Sequence, residues 1–169
     1  MPITPDAFKS ALSQYPSGVT IITAQAGDER HGLTASAFAS VSAEPPLIAV
    51  FVNQKGHAHD LLQRADATFA VNFLQEHHES LSNRFAFSQE DRFAEGDWTI
   101  ATTGAPVLTD AIAWLDCTVY SRVTAGSHTI YIGEVQATEA PFANASPLLY
   151  WNRSYRTLNL TKPETTEES

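Results

Sequence analysis

The side chains with chemistry to offer in this 169-residue chain are six histidines, one cysteine and a run of small hydroxyls. Two pairs, His57/His59 and His77/His78, fit neither H-E-x-x-H nor a Cys/His zinc spacing, so no metal site is expected. Beside Glu76 and Glu79 they read as solvated residues of short helices. His128 is different. In AGSHTIYIGEV it begins a strand directly after a glycine turn, a rim position from which an imidazole reaches into a site mouth, although an ordinary turn histidine occupies the same place. Cys117 shares a face with Leu115 and Val119 and has Asp116 beside it. It reads as core, because a reactive thiol needs an electropositive, partly exposed setting.

The hydroxyl run is GLTASAFASVS, Gly32 to Ser42, with no charged, amide or proline side chain. With period two, Leu33, Ala35, Ala37, Ala39 and Val41 share one face, small and apolar enough for a core. Thr34, Ser36, Phe38, Ser40 and Ser42 share the other, offering donors and acceptors on short stems. A solvated strand or an Ala/Ser-rich helix is one reading. A wall pressed against a flat ligand is the other, and the missing Lys, Glu and Arg favour it. No G-x-G-x-x-G follows a strand, and there is no P-loop and no G-x-S-x-G elbow, so no Rossmann-type phosphate turn or nucleophile is on offer.

These residues need elements to hold them. TPDAFKSALSQY predicts a helix capped by Thr4 with Pro5 at its first position and Phe8, Leu12 and Tyr15 on one face. VTIITA (19–24), PLIAVFV (46–52) and TFAVNFL (68–74) are short, largely apolar runs of strand character. HAHDLLQRA and EHHESLSNRFA predict brief helices, the second with Leu81 and Phe85 four apart. AFSQEDRFAEGDWTIATTGAPVL reads as a long, polar surface excursion. IAWLDCTVYSRVTAGSHTIYIGEVQATEA reads as a hairpin turning around Thr124–Ser127, with Gly126 making the turn. Strands with few helices between them favour a mainly β fold with an antiparallel sheet closed into a barrel.

Composition bounds the partners. With 43% hydrophobic residues and nine Phe, the chain can bury one substantial core, and one domain is expected. Ten basic against nineteen acidic residues give a net charge of −9, which repels nucleic acid and anionic membrane surfaces. There is no apolar run of about 18 residues and no signal-peptide pattern, so a soluble, cytoplasmic protein is expected. The acidic tail at 161–169, within TKPETTEES, is expected to be disordered.

The order of FKSALSQYPSGVTIITA, HGLTASAFASVSAEPPLIAVFVN, FAVNFL, GAPVLTDAIAWLDCTVY, GSHTIYIGEV and PLLYWNRSYRTL resembles the flavin reductase-like family, the NAD(P)H-dependent reductase components of two-component flavin monooxygenases. The resemblance spans residues 5 to about 160 and assigns 1–160 to one such domain. It implies an FMN-binding split β-barrel, Greek-key-like and homodimeric, which binds FMN or FAD, uses NADH or NADPH as co-substrate, and passes reduced flavin to a partner monooxygenase. Thr34, Ala35 and Ser36 would border the isoalloxazine ring, and Ser40 would reach the ribityl chain. Where the family commonly reads N-R-S-S-x-T, this chain reads NQKGHAH: Asn53 is kept, Lys55 and His57 supply charge and a donor, and the paired hydroxyls are gone. Asn72 matches V-N-x-L, Arg84 and Phe85 match a helix end near the phosphate or adenine side, and Tyr155 matches a C-terminal aromatic. His128 matches the histidine of G-x-H-x-[IL], beside the ring where nicotinamide stacks, and is the catalytic candidate.

Hydride passes from nicotinamide to flavin without a protein nucleophile, so the protein's expected part is positioning and charge. Other acceptors stay open: ferric iron or a corrinoid on the same fold, a non-catalytic flavin-binding module, or a structural domain. Arg30, Lys55, Arg153 and Arg156 are the cations available to a 2′-phosphate, and no motif chooses between NADH and NADPH.

Overall fold

The computed structural model describes residues 2–158, and the tail at 161–169 lies outside them. In chain order the helices are α1 (Pro5–Leu12), α2 (His57–Leu62) and α3 (Glu79–Phe87). The strands are β1 (Ser17–Gly18), β2 (Thr20–Ala26), β3 (Glu29–Ala35), β4 (Phe38–Ala43), β5 (Pro46–Asn53), β6 (Thr68–Phe73), β7 (Trp98–Ile100), β8 (Pro106–Leu108), β9 (Ala113–Ala125), β10 (His128–Glu139), β11 (Leu149–Trp151) and β12 (Ser154–Arg156). No helix among the described residues is long and apolar enough to cross a membrane.

Seven strands form one antiparallel sheet in the order β3-β2-β6-β9-β10-β5-β4. Its two edges, β3 and β4, are consecutive in the chain and joined only by Ser36 and Ala37. So short a link forces the sheet to curl until its edges meet. The barrel is closed there by the chain rather than by a hydrogen-bonded ladder, and is therefore split. The mainly β split barrel expected from the sequence is thus the fold, and its split falls inside the hydroxyl run.

Alternate residues fill the barrel: Ile22, Val50, Val52, Phe69, Val71 and Tyr131 are buried together with Cys117. Burial, with Asp116 next to it, pushes the Cys117 thiol up to about 12, so it is an inert core residue as expected. A second apolar cluster, with Ile21, Leu74, Leu81, Phe85, Leu108 and Leu148, joins α3 to the other face of the sheet. Leu81 and Phe85 supply the buried stripe of α3, as their spacing predicts.

Three expectations are corrected. The excursion after α3 is not merely surface: it carries the β7–β8 hairpin, with Ala105, Val107 and Leu108 fully buried, and it packs Phe93 and Trp98 against Phe85 with ring centroids 5.1–5.2 Å apart. Its apolar runs are too short for a period to register. The period-two phase of the hydroxyl run breaks at Ser36–Ala37: Leu33 and Ala35 pack into the barrel, but so does Phe38, while Ala37, Ala39 and Val41 are exposed. The chain changes sheet edge at that point, and a register shift between Ser40 and Ser42 moves the phase again. Finally, α1 has its Thr4 cap, accepting the Ala7 N–H at 3.2 Å, yet buries none of its residues; Phe8 and Tyr15 are 56% and 75% exposed.

Candidate functional site

The wall at the split is tightly fixed up to the point where it crosses. A Cβ on Gly32 would lie 2.4 Å from Phe85 Cε1, so only glycine lets β3 approach α3 this closely. On the same face the Thr34 hydroxyl donates to the Ser82 carbonyl at 2.6 Å, and at the strand's end the Thr20 hydroxyl donates to the Ala35 carbonyl at 2.8 Å. Beyond Ala35 the chain presents only Ser36 and Ala37 before β4 begins, and both are exposed.

Two clefts flank this wall. One, of about 750 Å³, is bounded by Ser36, Ala37, Ala39, Phe51, Tyr15 and Trp151. The terminal hairpin closes it: Asn152 and Arg153 turn in the left-handed region, the Asn152 N–H donates to the Ser13 carbonyl at 2.8 Å, and Trp151 Nε1 donates to the Gln14 carbonyl at 3.1 Å. The other, of about 510 Å³, is bounded by His31, Thr34, Asn53, Lys55, His57 and Arg92. An adjoining lobe of about 400 Å³ shares His31, His57 and Arg92 and reaches Arg30 and Phe93. Phe51 in the first cleft and Asn53 in the second are alternate residues of β5, about 7 Å apart on one strand face. The first cleft is mainly aromatic and small-walled, with Asp6, Lys9 and Arg153 also on it; the second gathers Lys55 and Arg92 with no carboxylate among the described residues of its lining, on a chain whose net charge is −9.

Of the residues singled out from the sequence, Thr34, Asn53, Lys55, His57 and Phe85 come together on the cationic cleft, and Ser36 on the aromatic one. The Asn53 Oδ1 accepts the Lys55 N–H at 2.9 Å and shapes the loop. His128 pairs across strands with Asn53 at the barrel rim, half-buried, its Nδ1 3.0 Å from Ser127 Oγ. Ala35 and Ser40 line neither cleft.

Four further residues have structural partners. Asn72 is fully buried, donating to the Ile21 carbonyl at 3.0 Å and accepting the Leu108 N–H at 2.8 Å. Arg84 is paired with Glu95 at 2.8 Å, and Tyr155 shares a hydrogen bond with Ser82 at 2.8 Å and donates to Asn83 at 3.2 Å. Phe85 forms the floor under Gly32 rather than an open contact surface. A motif match does not reveal such commitments, which are made across the fold.

His31 and Arg92 were not singled out for this cleft. Arg92 Nη1 donates to His31 Nε2 at 2.6 Å, and the His31 and His57 rings meet edge to face at 5.0 Å. Burial first, then the charges of Arg92 and His57, lower His31 to about 4, so it is a neutral acceptor at ordinary pH. The histidine pair His77/His78 is not simply solvated either. His78 is 6% exposed and lies 3.0 Å from Asp110. Its Nδ1 accepts the Gln75 N–H at 3.1 Å, so Nε2 carries the proton given to Asp110 and has no lone pair for an ion. That cluster latches the turn before α3 to the loop after β8.

A split barrel whose crossing is flanked by an aromatic cleft and a cationic one has room for a planar, phosphorylated cofactor. The chain belongs to the flavin reductase-like family: the model of the "Flavin reductase like domain" matches residues 12–159. A flavin reductase (NADH) of Kitasatospora aureofaciens is 42% identical over 154 residues, which cover 89% of this chain and 80% of that protein. The NADH:FAD oxidoreductase SgcE6 of Streptomyces globisporus C-1027, solved with NAD and FAD fragments, superposes with a TM-score of 0.85 at 30% identity over 98% of this chain and 99% of its own. The styrene monooxygenase flavin reductase of Pseudomonas putida S12 does so at 0.82 and 30%, over 92% and 99%. A longer relative, from Rhizobium meliloti (strain 1021), is 38% identical over 136 residues, and the chain spans 43% of it. The resemblance read from the sequence is borne out, and with it the family's flavin reductase function and its use of flavin and nicotinamide.

Proposed function

We propose that this chain transfers hydride from NADH or NADPH to FMN or FAD and releases the reduced flavin to a flavin-dependent monooxygenase. The observation that carries this is the pair of clefts on either side of the split. The residues present fit a phosphorylated flavin: the exposed Ser36, Ala37 and Ala39 leave room for a flat ring against Phe51 and Trp151, and Lys55 and Arg92 offer charge, and His57 a donor, to a phosphate. Bound flavin supplies the hydride acceptor. The chain's own residues position it: the small side chains keep the wall flat, and the aromatic ones exclude water. His128 orients the nicotinamide from the rim, with its Nδ1 close to the Ser127 hydroxyl.

The decisive experiment follows nicotinamide absorbance while FMN and FAD are added in turn to purified protein with NADH or NADPH. Turnover that needs added flavin and saturates with it is the expected result. Flavin binding without turnover on any combination would replace the reductase with a binding module.

A homodimer completes this reading. Phe51, Ile130 and Val123 stand side by side on the outward face of β5, β10 and β9, with Val123 52% exposed, and α1 adds an exposed apolar face nearby on the aromatic cleft. A monomer with this much apolar surface at its site calls for a second copy. Light scattering is expected to give the dimer mass, and Val123→Asp to lower it.

A further inference from the structure

Two arginines stand on either side of the loop after α3, and their surroundings are opposite. Arg84 is saturated: Nη1 donates to Glu95 at 2.8 Å, Nε and Nη2 donate to the Asp91 carbonyl at 3.2 and 2.8 Å, and Glu90 lies 3.7 Å away. The Asp91 carboxylate is taken by the Phe93 N–H at 3.0 Å, capping the turn on which Arg92 sits. Glu95 is thus held by Arg84 and the Asp91 carboxylate by the cap, while Glu90 and Asp91 also border the outer lobe beside Arg92. Among the described residues Arg92 forms no ion pair; its Nε is buried without a partner, and its one strong contact is the neutral His31. A guanidinium with a buried, unmatched N–H beside a cleft calls for an anion.

The cleft supplies the rest of an anion site. Lys55 and His57 line it with Arg92, with Glu29 3.9 Å from His57, and the outer lobe adds Arg30 together with Glu90 and Asp91. His31 stays neutral down to about pH 4, so it steadies Arg92 as an acceptor without adding a charge of its own. The family's usual paired hydroxyls are missing from NQKGHAH, which leaves phosphate selection to cations brought from elsewhere in the fold.

We propose that Arg92 is the residue through which this site selects phosphorylated flavins, and that Arg84 is a positioning residue that, by holding Glu95 and the Asp91 carbonyl, fixes the loop on which Arg92 sits. This rests on the flavin reading above. The chemistry is that of a phosphate ester held by a forked guanidinium. The 2′-phosphate of NADPH offers the same chemistry, so the test separates the two sources.

Flavin-free protein is titrated with riboflavin, FMN and FAD, following quenching of flavin fluorescence. Wild type is expected to bind FMN and FAD tighter than riboflavin by on the order of 10–100-fold. Arg92→Ala collapses that ratio to within about threefold while riboflavin affinity holds, and Arg92→Lys, which keeps charge without the fork, restores part of it. Arg84→Ala lowers the ratio less, and Arg84→Lys rescues it through the Glu95 pair. An unchanged ratio in Arg92→Ala, with riboflavin still bound, overturns the proposal and leaves the flavin reading standing. A lost preference between NADPH and NADH with the flavin ratio intact also overturns it, by moving Arg92 to the nicotinamide. If wild type binds none of the three flavins, the flavin reading itself fails and takes this one with it.

Discussion

The aromatic and cationic clefts share one wall but are built on different principles. The cationic cleft has its floor in the core: Gly32 lies against Phe85, Thr34 is bonded to Ser82, and the loop carrying Arg92 is pinned by Arg84 and by the stack of Phe85, Phe93 and Trp98. The aromatic cleft is bounded by the exposed crossing at Ser36–Ala37, a helix that buries none of its residues, and a terminal hairpin held by its short β1–β11 pairing, by Tyr155 on Ser82 and Asn83, and by the bonds of Asn152 and Trp151 to the end of α1. The cationic cleft is therefore the more firmly built of the two. In the proposed reading, a flavin gripped at its phosphate end and loosely housed at its ring suits a reductase that gives its product away.

Removing the shared wall is the strongest way to break the contrast. Gly32→Ala drives a Cβ into Phe85, a ring fixed on both sides, so overpacking is expected to cost about 1–3 kcal/mol and to weaken every flavin alike. Urea denaturation checks the first and fluorescence titration the second. A stable, normally binding Gly32→Ala would mean that β3 and α3 can separate freely.

Filling the aromatic cleft sharpens the contrast instead. Ala37→Phe adds a ring to an exposed position, so stability should move by less than about 0.5 kcal/mol. Riboflavin and FMN should weaken together, on the order of tenfold or more. A variant that weakened FMN alone would place the ring somewhere other than this cleft. His128→Ala acts at the barrel rim opposite Asn53, and is expected to lower kcat on the order of tenfold with flavin affinity little changed. Steady-state kinetics beside a binding titration separate the two effects, and unchanged kcat removes His128 from the site.

Legibility in the sequence follows the same division. The strands, the α3 stripe of Leu81 and Phe85, the buried Cys117 and the Gly126 turn all announce themselves through local period or turn chemistry, which is why the barrel was readable. The split was visible only as an oddity, a hydroxyl run without charge, because its phase reverses where the chain changes sheet edge. The charge partners were not readable at all. Arg-Phe-Ala occurs twice, at Arg84 and Arg92, and no local rule says which arginine is spent. Glu95, Asp91 and His31 decide it, and the last comes from the far side of the barrel's edge strand. Family matching favoured the first copy; the tertiary contacts free the second.

The smallest effect is a pH dependence confined to the cationic cleft. His31 titrates near 6.5 when unfolded and about 4 when folded, so between those values the unfolded chain binds more protons. Stability is fully present above about pH 6.5, declines as pH falls toward 4, and levels off below it. The ring is only partly buried and water screens it, so the loss should be about 1 kcal/mol rather than the full linkage value. His31→Gln keeps an acceptor near Arg92 and removes the titration, so its Tm should fall less steeply than wild type's across that window. Equal slopes in the two proteins would mean that His31 is as solvated when folded as when unfolded. Its hold on Arg92 would then be an exposed contact, and the cationic cleft would lose the rigidity that distinguishes it from its neighbour.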